Sequence, residues 1–311
     1  MNKTDEKKPL IAPNTIITLT IPKKEAELAY SKALKKLAKK IKVDGFRKGN
    51  VPAKIAEESL NPQKIIEGAL QIIVPRIYTA ELKKSGKKPL THPEFNPISL
   101  EKGKDWILEA YIAEKPKINL KSYKETIKKA QKQAIKEIEI QIKSMKEAAK
   151  KHEEECKDDK HKHQPTEPTK DEKEGFTLQF IFKELIKSIK PEIQELLVKE
   201  EVRYDLDDLS HKLKDMNIPF EKFLEHRKMT FEQLSSELAA SALGRLQTSF
   251  IINEIAETEK LSVKKADFDL EMAKITDKKV RKEKEIDPRY IEMVGQNILR
   301  QKVADFILSI K

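Results

Sequence analysis

The sequence predicts an α+β N-terminal domain followed by an all-α, arm-bearing helical domain, and three observations carry that prediction. Glycine occurs only 8 times in 311 residues and aromatics make up 6%, while charged residues reach 37%. A chain so rich in Lys, Glu, Leu, Ile and Ala suits long helices and disfavours an all-β sandwich or a glycine-dependent dinucleotide fold. Period-two alternation of apolar and polar residues is found within the first 115 residues; beyond Pro116 the apolar spacing turns to three and four. The expected division is therefore a flexible N-terminus over 1–13, an α+β domain over 14–115, and a linker with a long helix over 116–155. A polar tract without fixed structure over 156–175 and a helical domain over 176–311 complete it.

Each element has its own signal. Ile17, Leu19 and Ile21 alternate with Thr18 and Thr20, a strand with one buried face that Pro22 ends. Over 24–42 the residues Ala26, Ala29, Tyr30, Ala33, Leu34, Leu37, Ala38 and Ile41 recur at helical spacing. Lys32, Lys35, Lys36, Lys39 and Lys40 fill most of the remaining face, giving an amphipathic helix with a basic outer side. Pro52 stands at the first turn of a short helix over 53–60. Asn61-Pro62, an N-cap followed by proline, opens a longer helix in which Pro75 predicts a bend or break near Val74. Residues 95–100, interrupted by Pro97, suit an edge strand, and 106–112 alternate cleanly.

Past Pro116, the residues Ile127, Ala134, Ile135, Ile138, Ile142, Met145 and Ala149 predict a helix from about 123 to 155. Pro191 is read as opening the next helix, which Asn217-Ile218-Pro219 breaks. Thr230-Phe231-Glu232-Gln233 is a capping-box pattern, Ser262 a candidate cap, and Asp287-Pro288 the start of the last helix.

The net charge of +11 is unevenly placed. Residues 1–115 hold 23 Lys+Arg against 14 Asp+Glu, a net of +9, and residues 116–311 hold 40 against 38, a net of +2. A basic domain joined to a near-neutral helical body points to docking on a polyanion. The chain lacks any run of roughly 20 apolar residues, so no membrane span is expected. A polar N-terminus and a single cysteine, Cys156, fit a cytoplasmic protein without a secretory leader or disulfide framework.

The loop Gly45-Phe46-Arg47-Lys48-Gly49-Asn50-Val51-Pro52 is the most specific feature in the chain. Its glycines permit a sharp turn between helices. Between them stand an aromatic ring, a guanidinium that forks onto phosphate or carboxylate, and an ammonium point charge. Such a tip suits docking on a ribonucleoprotein surface.

This loop resembles the ribosome-docking signature of the bacterial trigger factor family, Gly-Phe-Arg-x-Gly-x-x-Pro, matched here by Gly45, Phe46, Arg47, Gly49 and Pro52. The resemblance covers residues 14–123 well and the helical stretch 176–311 less specifically. It implies that Phe46, Arg47 and Lys48 contact the tunnel-exit protein and rRNA of the ribosome, while Gly45, Gly49 and Pro52 shape the loop. It also implies an ATP-independent chaperone whose partners are nascent or unfolded polypeptides, with no membrane partner and with a homodimer off the ribosome left open. The family usually carries a prolyl-isomerase domain of about 80–100 residues. Here the 52 residues between Tyr123 and Phe176 hold a Lys/Glu helix, a polar tract and a single glycine, so neither that domain nor its activity is expected.

No catalytic residue, cofactor or metal site is expected. P-loop, GxSxG, HExxH and dinucleotide patterns do not occur. His152, Cys156, His161 and His163 lie in a polar segment without the spacing of a zinc site. Met216, Met229, Phe250, Met272 and Met293 are candidate client contacts because methionine adapts to varied surfaces. Two other readings stand beside the chaperone: a basic RNA-binding or ribosome-assembly protein using the 24–42 face, and a structural helical scaffold.

Overall fold

A computed structural model of the chain describes residues 11–47, 49–155 and 168–310, with the backbone alone for 148–155. The first half runs β1 (Ile11–Ala12), β2 (Thr15–Ile21), α1 (Lys23–Ala38), α2 (Ala53–Ser59), α3 (Pro62–Ser85), β3 (Glu94–Ser99), β4 (Trp106–Ile112) and α4 (Tyr123–Glu155). The second runs α5 (Lys170–Ile189), β5 (Ile193–Gln194), α6 (Glu195–Asp215), α7 (Phe220–Arg227), α8 (Phe231–Thr258), α9 (Lys265–Ala273), α10 (Lys278–Ile286) and α11 (Pro288–Ser309). An α+β region thus precedes a helical one, as the periodicity predicts.

The chain packs as two compact units, one of residues 11–115 and 193–242, the other drawn from 116–192 and 243–311. In the first, β4 is the central strand of a three-stranded antiparallel sheet of order β2-β4-β3. Trp106, Leu108, Ala110 and Ile112 of β4 and Ile17, Leu19 and Ile21 of β2 are buried on one face. They pack with Ala26, Ala29, Ala33 and Leu34 of α1 and Ile65, Ala69 and Ile73 of α3. Pro97 sits on the edge strand β3 beside a register shift, where its missing N–H costs no central ladder bond. Of the bend or break expected near Val74, the structure excludes a break: α3 runs on past Pro75 to Ser85, where Gly86 caps it in the left-handed region.

Residues 11–13, expected to be flexible, are held in place. Ile11 and Ala12 pair in parallel with Ile193 and Gln194. The Gln194 amide donates to the Pro13 carbonyl and to Thr15 Oγ1, and its oxygen accepts from the Glu114 N–H. This pairing keeps 193–194 extended, so α6 opens at Glu195 rather than at Pro191. The stretch 193–242 therefore packs in the unit of the sheet.

In the second unit, Tyr123, Ile127 and Ala130 of α4 bury against Ile181 and Leu185 of α5, Ile251 and Ile255 of α8, and Val303 and Ile307 of α11. The Tyr123 hydroxyl donates to Glu259 at 2.5 Å, and Gln131 donates to the Ile307 carbonyl at 3.0 Å. α5 begins earlier than expected, at Lys170, because Thr169 and Glu172 form a reciprocal capping box. Residues 170–175 of the expected unstructured tract are thus helical, while 156–167, including Cys156, His161 and His163, lie outside the described residues. α9 is capped at Lys264 through the Asp267 carboxylate rather than at Ser262, and α10, capped by Asp277, has no counterpart in the sequence reading. Among the described residues no helix is long and apolar enough to cross a membrane.

Candidate functional site

The candidate loop connects two helices of the sheet-bearing unit. α1 closes at Lys39, and the chain then makes a tight reversal in which the Phe46 N–H donates to the Val43 carbonyl at 3.1 Å. A second turn follows, with the Asn50 N–H donating to the Arg47 carbonyl at 2.9 Å. Gly45 and Gly49 take φ of +84° and +94°, conformations that a side chain opposes. Val51 then turns into the core and Pro52 caps α2, which anchors the far end.

The reversal leaves Phe46 and Arg47 exposed, Phe46 at 37% of its full accessibility. Among the described residues no carboxylate pairs with Arg47. An accessible apolar ring beside a guanidinium is chemically suited to an anionic surface with a crevice for the ring. Gly45, Phe46, Arg47, Gly49 and Pro52 are brought together in one loop; Lys48 lies outside the described residues.

The base of this unit carries a polar clasp that sequence reasoning missed. The Tyr30 hydroxyl of α1 donates to Glu57 of α2 at 3.1 Å, and Lys102 Nζ stands 2.6 Å from the same carboxylate and 5.3 Å from the Tyr30 ring centroid. The hydrogen bonds from Lys102 and Tyr30 hold the Glu57 carboxyl below its ordinary value, and burial foremost pushes the Tyr30 hydroxyl up. The three groups border a half-open cavity of about 260 Å³ floored by Leu34 and Trp106. No local spacing reveals such a cluster, because its members come from three separate elements.

The helical surfaces divide the candidate client contacts. Met216 and Met293 are exposed, and Met229 and Phe250 half-buried. Met272 is only 3% exposed, a core residue of its unit that cannot face a client. Along the apolar period of α4, Tyr123, Ile127, Ala130 and Ala134 are buried, whereas Ile135 and Met145 are exposed. Among the described residues no group of His, Cys, Asp and Glu could hold a metal ion.

Comparison with known proteins places this geometry. A chain solved in work on "Promiscuous Substrate Recognition in Folding and Assembly Activities of the Trigger Factor Chaperone" superposes with a TM-score of 0.58 at 15% identity, covering 95% of this chain and 97% of that one. The fold is that of trigger factor. The sequence model described as "Bacterial trigger factor protein (TF)" matches residues 1–147, and the one described as "Bacterial trigger factor protein (TF) C-terminus" matches 159–309. The chain belongs to the trigger factor family. Trigger factor of Staphylococcus saprophyticus is 36% identical over 109 residues, which are 35% of this chain and 25% of that relative. The same values hold for trigger factor of Staphylococcus epidermidis and of Staphylococcus aureus. The chain thus spans about a quarter of the length of the curated relatives it matches. Only residues 148–158 lie between the two matched regions, too few for an inserted domain of about 80–100 residues.

Proposed function

We propose that this chain is a cytoplasmic, ribosome-associated, ATP-independent chaperone that docks near the polypeptide exit tunnel and holds nascent chains on its helical surfaces. The observation that carries the reading is the loop itself: Phe46 and Arg47 stand exposed between two glycines at positive φ, in a chain of the trigger factor family. In this reading Phe46, Arg47 and Lys48 touch the tunnel-exit protein and rRNA, while Gly45, Gly49 and Pro52 set the loop's shape. The docking domain spans 14–115, and no prolyl-isomerase activity is expected of the chain.

The holding step needs no nucleotide. Apolar contacts contribute about 25 cal/mol per Å² buried, so exposed side chains such as Ile135 and Met145, or Met216, or Met293, bind unfolded segments weakly and release them. These exposed apolar side chains favour the chaperone over a purely RNA-binding or ribosome-assembly role, which has no use for them.

Co-sedimentation with ribosomes over a series of salt concentrations tests the docking. The parent is expected to pellet in a salt-sensitive manner, and the triple variant Phe46→Ala/Arg47→Ala/Lys48→Ala to remain in the supernatant. Equal pelleting of the two rejects the loop as the docking element. Suppression of aggregation of a denatured client tests the holding step, and no suppression at several-fold excess favours the RNA-binding alternative.

A further inference from the structure

The two edges of the three-stranded sheet are unlike. β3, on one side, carries Pro97, a register shift between Pro97 and Ser99, and an ion pair from Glu94 to Lys199. A proline, an irregularity and charges are the means by which sheets keep an edge from pairing with a further strand. β2, on the other side, carries none of them. Its register with β4 runs unbroken from Thr15 opposite Ile112 to Ile21 opposite Trp106, and its residues include neither charge nor proline. Thr15, Ile16, Ile17, Thr18, Thr20 and Ile21 are β-branched, the class that fits a pleated surface.

The edge is open as well as unguarded. Among the described residues β2 pairs with β4 alone, and no backbone hydrogen bond joins 16–21 to any other segment. An antiparallel strand turns the N–H and C=O groups of alternate residues away from its partner, so this edge presents a row of unpaired donors and acceptors. Ile16, Thr18 and Thr20 are exposed on the outer face, while Ile17, Leu19 and Ile21 are buried beneath the helices. Pro13 and Pro22 bracket the strand, which leaves about 24 Å of edge for pairing.

We infer that the free edge of β2 takes up an extended segment of a non-native polypeptide as a fourth strand, a mode of capture that rests on the holding role proposed above. Three properties select this occupant. Nothing charged lies between Asn14 and Pro22 to meet a phosphate. A second copy paired through β2 would engage 7 residues a side, where a stable interface uses roughly 20–30. Folded proteins guard or cover their edges, so free strands belong to chains that have not folded. Main-chain bonds supply the affinity and are blind to sequence, and alternate side chains add preference. One row of incoming residues continues the line of Ile17, Leu19 and Ile21, and the other lies beside Ile16, Thr18 and Thr20. Uncharged, proline-free segments with alternating apolar residues are therefore favoured.

The test uses the full chain and a short peptide of alternating threonine and valine with a lysine at each end. Residue-resolved amide hydrogen exchange is expected to show outward N–H groups within 16–21 slowing by about tenfold or more at saturating peptide, with 94–99 unchanged. Two N-methylated peptides, one methylated on the valines and the other on the threonines, keep the side chains and each lose one row of donors. At least one is expected to bind about 5-fold more weakly for each donor lost, and the more affected row reports the direction of the added strand. Thr18→Lys/Thr20→Lys, at exposed positions, installs the missing charges and should weaken binding with the thermal midpoint unchanged. No slowing within 16–21, equal affinity of all three peptides, or undiminished binding by the lysine variant overturns the inference. So does slowing at 16–21 when the chain is concentrated without peptide. Aggregation suppression separates the two claims: suppression without protection of β2 leaves the holding role standing and removes the edge, and protection without suppression does the reverse.

Discussion

Replacing Gly49 by alanine isolates the loop's conformation from its chemistry. Gly49 has φ of +94°, and a Cβ added there meets no atom within 4 Å, so crowding by neighbours contributes nothing. What remains is the intrinsic cost of holding an L-residue at positive φ, about 1–2 kcal/mol. Among the described residues two short-range hydrogen bonds, Phe46 N–H to Val43 and Asn50 N–H to Arg47, tie the loop together, and Phe46 and Arg47 are exposed. The variant loop therefore relaxes to other shapes instead of straining the fold. A 1–2 kcal/mol bias against the docking shape lowers ribosome affinity about 5- to 30-fold, while the thermal midpoint stays near that of the parent. Gly103, at φ of +81° and equally uncrowded, provides the control. Gly103→Ala carries the same backbone cost in the turn between β3 and β4 and should leave ribosome affinity unchanged. Equilibrium sedimentation at fixed salt gives both constants, and calorimetry the midpoints. Undiminished affinity in Gly49→Ala would refute the claim that this backbone shape is the docking-competent one.

Three further outcomes are expected. Ile135→Ser/Met145→Ser, both at exposed positions on one side of α4, should weaken suppression of client aggregation without moving the unfolding midpoint by more than about 2 °C; full suppression excludes this face as a client surface. Glu259 is held below its ordinary value by hydrogen bonds from Lys124 and Tyr123, so its charged form adds stability above the ordinary carboxylate range, and that stability is lost as pH falls through the lowered folded value. Glu259→Gln should flatten the fall of the midpoint as pH drops through and below the ordinary carboxylate range, and parallel curves for parent and variant contradict the assignment. Ala33→Leu inserts bulk at a site 1% exposed, where Ala33 Cβ lies only 3.3 Å from a Cβ built on Gly68. It should destabilise the sheet-bearing unit by about 1–3 kcal/mol in urea titrations, and an unchanged midpoint there refutes the close packing.

Signals that lie within a few residues were readable. The alternation of β2 and β4, the Asn61-Pro62 and Asp287-Pro288 helix starts, and the Thr230–Gln233 capping box all appear where the spacing places them. Thr169-Lys170-Asp171-Glu172 carries the same kind of signature for α5, but it follows a long polar stretch whose composition outweighed a four-residue pattern. The parallel pairing of Ile11–Ala12 with Ile193–Gln194 left no local trace, since its partners are 182 residues apart and each is two residues long. Periodicity was least informative about partnership. It marks an apolar face along α4, yet neighbouring helices cover Ile127 and Ala130 and leave Ile135 and Met145 open. For the same reason nothing in the sequence separates Met272, which is core, from Met216 and Met293, which are not. At the candidate loop the glycines made a sharp turn legible, whereas the outward setting of Phe46 and Arg47 required the structure.

The small side chains of α1 connect its two exposed features. Ala26, Ala29, Ala33 and Ala38 form most of its buried face, and Gly68 of α3 stands against Ala33. Alanines bury little area each, so this contact gains its strength from close approach rather than from bulk, and dispersion falls off steeply with any gap. A helix seated that tightly has few alternative positions. Its outer lysines are then held in a fixed row, and the loop that leaves its C-terminal end starts from a fixed point, with Val51 and the Pro52 cap of α2 fixing the other end. Rigidity at both anchors limits the conformational search of the residues 40–50 between them. That is why two glycines and two hydrogen bonds are enough to present Phe46 and Arg47 outward.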